Sequence, residues 1–209
     1  MRAIIPCCGF GTRVNMLPNE SKEMLPDPDM FDSPSRVHII DYSISFCKQH
    51  YLLPHIISRP EKVGLNEYIK YHTEGVSLQM HTPVGEWPLT VLASKDFWEE
   101  DNLLILPDTR FSYPHQAIQQ MKHSLDMGCQ AVIFTHEVKD PDKWGIIKDY
   151  TIHEKPTKFT SPQTAWGLIA FKKDYGEILF DSMARKEPFS LTDTAFIKLS
   201  HFEDITRKK

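Results

Sequence analysis

The sequence predicts an α/β fold: a mostly parallel sheet with helices on both faces, followed by a small mixed α/β lobe. Three observations carry that prediction. Short apolar runs alternate with longer amphipathic ones over residues 1–140, the longer runs carry apolar residues at helical spacing, and the pattern changes from Trp144 onward. Repeated strand-helix-strand units imply parallel pairing, and their crossovers cover the sheet on both sides.

The elements follow in order. Arg2 to Pro6 is an apolar strand, and Val37 to His50 a helix with Ile40, Ile44 and Cys47 on one stripe. Pro54 to Ser58 is a second strand, and Glu61 to His72 a second helix turning Leu65, Tyr68 and Ile69 inward. Val76 to Met80 and Asn102 to Leu106 are further strands, with a short helix from Leu89 to Ala93 between them. Pro114 to Met127 forms a helix opened by proline and closed near Gly128, the usual asymmetry of helix ends, and Gln130 to Val138 is a strand. After Trp144 come strands at Gly145 to Lys148, Tyr150 to Glu154 and Ala165 to Phe171, then helices at Asp174 to Lys186 and Thr192 to His201. No Pro/Gly/Ser linker separates the two patterns, so one domain over residues 1–209 is expected, and no internal repeat is visible.

Composition narrows the function. The 209 residues are 41% hydrophobic and 25% charged, ordinary values for a globular chain. A formal net charge of -4 and scattered Lys and Arg argue against a general nucleic-acid binder. There is no apolar stretch of membrane-spanning length and no secretory layout at the N-terminus, so the expectation is a cytoplasmic protein with no membrane partner. Cys7 and Cys8 are adjacent and Cys47 and Cys129 isolated, which indicates neither a zinc site nor a disulfide framework.

The chemistry concentrates at Ala3-Ile-Ile-Pro-Cys-Cys-Gly-Phe-Gly-Thr-Arg13 and Ser21-Lys-Glu-Met-Leu-Pro26. An apolar strand that ends in Gly9 and Gly11 lets the main chain approach a phosphate closely and offer it N–H donors. Arg13 adds a permanently charged planar fork and Lys22 a second cation a short loop later, a set suited to a polyphosphate. A bare Gly-x-Gly is equally consistent with a plain strand-to-helix turn beside a surface Arg.

These two stretches resemble the signature of the sugar-1-phosphate nucleotidyltransferases of the glucose-1-phosphate uridylyl- and thymidylyltransferase type. Leu106-Pro-Asp108, Trp144-Gly145, Glu154-Lys-Pro156 and Leu191-Thr-Asp193 follow in the same order as in that family. The chain departs from it where Cys7-Cys8 replace small residues, where Ser21 replaces a proline, and in the loop from Val14 to Glu20. The resemblance implies a Rossmann-like sheet with a nucleotide-binding part over 1–140 and a sugar-binding lobe over 141–209. The implied partners are a nucleoside triphosphate and a sugar 1-phosphate, with Mg2+ as cofactor and room for a homo-oligomer.

In an open parallel sheet, ligands sit beyond the carboxyl ends of the strands, so the Gly9 loop and Asp108 fall on one edge. Beside Arg13 and Lys22, Asp108 reads as a Mg2+ ligand rather than a turn cap on Thr109. The resemblance places a second metal carboxylate in a W-x-D-x-G segment, for which His201-Phe-Glu-Asp204 stands here without the glycine. A metal ligand and a helix-end carboxylate both fit Asp204. Arg13, Lys22 and Asp108 are thus the expected catalytic residues, and Cys8, Gly9, Gly11, Thr12 and Gly85 the nucleotide contacts. Gly145, Glu154 and Lys155 are the implied sugar and phosphate contacts, while Gln79 or His81 is the expected contact to the base edge. Two further readings stay open: a catalytically silent nucleotide-binding subunit, and a transferase acting on a non-sugar phosphate such as phosphocholine.

Overall fold

The computed structural model describes residues 1–9, 17, 19–26, 37–82 and 85–205. Strand β1 (Arg2–Pro6) is buried along Ala3, Ile4 and Ile5 and lies inside the sheet. It pairs in parallel with β2 (Leu53–Ser58) on one side and β4 (Asp101–Leu104) on the other, and β3 (Ser77–Met80) continues the sheet beyond β2. β9 (Gln163–Lys172) runs antiparallel to β4, with Leu103 opposite Ala170 and Leu104 opposite Ile169. Its other edge takes β6 (Ala131–Val138), to which β11 (Thr194–Lys198) adds in parallel. The fold is therefore α/β as expected, parallel through β3-β2-β1-β4 and again at β6-β11, with β9 reversed between the two groups.

Alternation along each strand sends side chains to two cores. Ala3, Ile5 and Cys7 join Leu103 and Val132 under α1 (Ile39–Gln49), α2 (Val63–His72) and α4 (Ala117–Asp126). Ile4, Leu104, Ile133 and Ile169 face the opposite way, onto α3 (Trp87–Leu92) and α5 (Lys173–Ala184). Among the described residues, no helix is long and apolar enough to cross a membrane.

β9 is long enough to serve two partners on one edge. Ala165 lies opposite both His136 of β6 and Ile146 of β7 (Gly145–Lys148), and Ile169 opposite both Ile133 of β6 and Leu104 of β4. With β6 on one side throughout, β4 and β7 share the other edge in succession. β8 (Thr151–Glu154) and β10 (Phe189–Ser190) extend the sheet outward from β7. A gap opens where β4 stops and β7 begins.

The expected helix from Thr192 to His201 is not formed. Thr194-Ala-Phe-Ile-Lys198 instead closes the free edge of β6 as β11, and His201–Asp204 becomes β12, antiparallel to β5 (Thr109–Ser112) in a separate two-stranded ribbon. An open β6 edge offers a full ladder of hydrogen bonds, and the alternation of half-exposed Phe196 with buried Ile197 suits a strand.

Candidate active site

The gap between β4 and β7 is a cleft of about 430 Å³. From the sheet it receives Pro6, Cys8 and Gly9 beyond β1, and Leu106 to Thr109 beyond β4. Because β1 and β4 are parallel, these carboxyl ends must meet on one edge. The far wall carries Trp144, Gly145, Glu154, Lys155 and Trp166, and the roof Gly85, Glu86, Trp87 and Thr90.

Lys22 reaches from the 3-10 turn Lys22–Met24 to donate to Oδ2 of Asp108, and both side chains are largely buried. Burial alone would lower the Lys22 pKa, but the carboxylate of Asp108, assisted by Glu23 and Asp204, raises it above the usual lysine value. Asp204 is brought in by the ribbon: it lies opposite Thr109 in the β5-β12 register, and the Ile205 N–H donates to the Asp108 carbonyl at 2.9 Å. It is a strand-end carboxylate beside Asp108, not a helix-end residue.

The ribbon is pinned at both faces. Phe202 stacks on His136 with ring centres 4.1 Å apart and meets the edge of Trp144 at 5.7 Å. Burial pushes His136 down to about 4, so its ring is neutral in this stack. Glycine at 167 is required there, since a Cβ would fall 2.7 Å from the Phe202 ring. On the other side Arg110 pairs with Glu203 at 3.2 Å and donates to the Tyr42 hydroxyl at 2.9 Å, tying the ribbon to α1.

Beneath Lys22 lies an ion pair that sequence reasoning missed. Glu23 and Lys62 are almost wholly excluded from solvent and joined at 2.7 Å, and Ser21 also donates to Glu23 at 2.5 Å. It fastens the 3-10 turn to the start of α2. A charged Ser-Lys-Glu triplet before α1 reads as surface, and no local signal marks Glu23 as interior. The nearby thiols are inert: burial pushes Cys8 up to about 12 and raises Cys7 well above the usual thiol value. Cys8 instead donates weakly to the Ile57 carbonyl at 3.5 Å.

On the far wall, Gly145 of β7 pairs with Glu154 of β8. A Cβ at Gly145 would fall 1.9 Å from Trp166 Nε1 and 2.6 Å from Glu154 Oε2, so no other residue fits. Burial raises the Glu154 pKa above its ordinary value, opposed by the Trp87 indole, Lys155 and the Trp166 indole. Trp87 Nε1 donates to Glu154 Oε1 at 3.2 Å, whereas Glu154 Oε2 and Trp166 Nε1 close no hydrogen bond. Lys155 takes a left-handed backbone (φ 46°), with its N–H on the Trp144 carbonyl at 3.0 Å, and its side chain is exposed at the rim.

Of the sequence-predicted residues, the cleft gathers Cys8, Gly9, Lys22, Gly85, Asp108, Gly145, Glu154, Lys155 and Asp204. Gly11, Thr12 and Arg13 lie outside the described residues. Gln79 does not reach the cleft: its amide donates to the Ala93 carbonyl at 2.9 Å and its oxygen faces His55 Nε2 at 3.1 Å. It ties β3 to the end of α3 and to β2. His81 is likewise absent from the lining, so Gly85 alone of the expected base-side residues borders the cleft.

No family model and no curated protein matches the chain. Solved structures do. A protein from Bacillus anthracis assigned as a glucose-1-phosphate thymidylyltransferase, solved with sucrose, superposes with a TM-score of 0.74 at 19% identity, covering 98% of this chain and 89% of that one. A UDP-glucose pyrophosphorylase solved with UDP-glucose superposes with a TM-score of 0.71 at 19% identity, covering 98% and 92%. The chain has the sugar-1-phosphate nucleotidyltransferase fold. Within that nucleotidyltransferase fold, the Lys22–Asp108–Asp204 group and the Gly145–Glu154 wall face each other across one cleft.

Proposed function

We propose that the protein is a Mg2+-dependent nucleotidyltransferase that joins a nucleoside triphosphate to a sugar 1-phosphate, giving a nucleotide sugar and pyrophosphate. The observation that carries this reading is the meeting of Lys22, Asp108 and Asp204 at the end of β1 and β4, opposite a wall bearing Gly145, Glu154 and Lys155. The likeness in fold to a thymidylyltransferase and a pyrophosphorylase supports the reaction type.

The residues present fit a magnesium ion. Mg2+ takes hard oxygen ligands and commonly binds through one or two carboxylates plus phosphate oxygens. Asp108 and Asp204 supply two carboxylates at neighbouring strand ends, and Lys22 already rests on Asp108 where a cation is favoured. Asp108 and Asp204 would hold the ion, which when bound neutralises triphosphate charge and polarises the phosphoryl oxygens.

The rest falls to the chain's own groups. Gly9 lets the main chain approach the phosphates, and the resemblance adds Gly11, Thr12 and Arg13 to that cradle. Lys22, kept protonated by its carboxylate neighbours, offsets charge developing on the α-phosphoryl group. The sugar phosphate brings its own nucleophile, because a phosphate monoester loses its second proton near pH 6, at about one unit below neutrality. No general base is required. The task of the site is alignment of two anions, and Lys155 at the rim and Lys22 at the floor are placed to hold one each. Glu154 Oε2, without a partner of its own, is an acceptor for a sugar hydroxyl.

In this reading residues 1–140 handle the nucleotide and 141–209 the sugar phosphate. Incubation with each common triphosphate and a panel of sugar phosphates, with products identified by mass spectrometry, tests it. A nucleotide sugar is the expected product. A nucleotide joined to a non-sugar phosphate would reassign the acceptor, and no product from any pair would reject the enzyme reading.

A further inference from the structure

We propose that Trp87 and Trp166 are positioning residues that grip the Glu154 carboxylate between two indole N–H groups and hold it as a fixed acceptor for a hydroxyl of the acceptor substrate. The inference rests on the acceptor-site reading given above. The two tryptophans come from opposite sides of the cleft: Trp87 from the first turn of α3, two residues after Gly85, and Trp166 from β9. Their rings pack on each other with centres 5.4 Å apart, and Trp87 also meets Phe180 of α5 edge-on at 6.3 Å. The ring positions are therefore set by the core behind them.

Against this pair stands one carboxylate. Trp87 Nε1 donates to Oε1 at 3.2 Å, while Trp166 Nε1 and Oε2 both crowd the space over the Gly145 α-carbon, at 1.9 and 2.6 Å from a single point. Glycine at 145 is what admits both groups. Without such a grip, a desolvated carboxylate next to a lysine in sequence would turn outward to Lys155 at the solvent rim. The indoles make the inward orientation the better one, because each N–H has no other acceptor among the printed contacts and an unpaired indole donor is costly to bury.

The charged groups acting on Glu154 are Lys155, which favours its ionised form, and Glu86 at the start of α3, which opposes it. Glu86 is in turn paired with Lys186 at 2.9 Å. Burial has the largest influence and favours the protonated form, with the Trp87 indole the strongest opposing one. Removing an indole N–H should thus make Glu154 harder to ionise.

The test uses Trp87→Phe and Trp166→Phe, which keep an aromatic ring and delete the N–H. Trp87 is half-exposed, so Trp87→Phe decides the matter if the more buried Trp166→Phe folds poorly. The first readout is independent of turnover: carbon-detected NMR titration of the Glu154 carboxyl should show its midpoint moving up by about one pH unit in Trp87→Phe, the size of one hydrogen bond to a charged acceptor. The second is kinetic: KM for glucose 1-phosphate should rise about tenfold, with kcat and KM for the triphosphate changed less than about twofold. An unmoved Glu154 midpoint in folded Trp87→Phe overturns the grip. A moved midpoint in a wild-type protein that makes no nucleotide sugar leaves the grip standing and removes the enzyme reading instead.

Discussion

The Lys22 ammonium donates to Oδ2 of Asp108, joining the turn that follows the glycine loop to the end of β4. This contact pulls the two halves of the triphosphate floor together, and Asp204 adds a second carboxylate from the far side of the β5-β12 ribbon. Asp108 has a double duty here, as a partner for Lys22 and as a candidate metal ligand. Asp108→Asn should lower the Lys22 pKa, because its largest charge-stabilising neighbour is lost while burial persists. It should also reduce turnover about a hundredfold or more. A variant with unchanged kcat would remove Asp108 from the chemistry.

The second carboxylate makes a separate prediction. If Asp108 and Asp204 share an ion, Asp204→Asn should weaken Mn2+ binding, read by electron paramagnetic resonance in the presence of a triphosphate, by about tenfold or more. Equal Mn2+ affinity in wild type and variant would leave Asp204 as a structural end to β12.

Glycine at 145 allows a steric test of the acceptor wall. Gly145→Ala places a methyl group against Trp166 Nε1 and Glu154 Oε2, so the wall must open. Binding of glucose 1-phosphate, measured calorimetrically, should fall by about tenfold or more while triphosphate binding persists. Loss of both together would mean that the clash unfolds the cleft as a whole.

Glu154 carries a pH-dependent stability signature whose sign is set by its raised pKa. Between its unfolded and folded pKa values the folded state binds the proton more tightly, so this contribution is fully present below the ordinary glutamate value and is lost as pH rises through the folded one. Glu154→Gln abolishes the cost of ionisation. The variant should melt higher than wild type at pH 8, and the difference should vanish toward pH 4, near the ordinary glutamate value. A wild type more stable than Glu154→Gln at pH 8 would contradict the assigned direction.

The Glu23–Lys62 pair should be costly to break and cheap to replace as a unit. Lys62→Met leaves a buried carboxylate uncompensated, with an expected loss of about 3 kcal/mol in chemical denaturation. Adding Glu23→Gln should restore most of it. Additive losses in the double variant would show that the two charges act independently.

Much of this arrangement was legible in the sequence because it is local. The Ala3 to Arg13 run and the Leu106-Pro-Asp108 step each carry strand, turn and functional group within a few residues, and parallel pairing then puts their ends on one edge. Gly145, Glu154 and Lys155 were found through the resemblance, and β7-β8 pairing brings the first two face to face. What escaped depends on distant contacts. Whether Asp204 ends a helix or a strand is decided by β5, and Thr194 to Lys198 becomes a strand because β6 has an edge to fill. Glu23 and Lys62 are polar residues that only tertiary packing makes interior, and Trp166 looks like any core residue of a strand until Glu154 is seen beside it. Gln79 failed for the same reason, since its partners are His55 and Ala93 rather than anything in the cleft.

The central claim is that one cleft aligns a triphosphate with a sugar phosphate. Pyrophosphate release, followed continuously with Mg2+ and each triphosphate in the presence and absence of glucose 1-phosphate, measures it most directly. The account predicts release that needs both substrates and collapses in Asp108→Asn. Release that ignores the sugar phosphate, or survives intact in that variant, would contradict it.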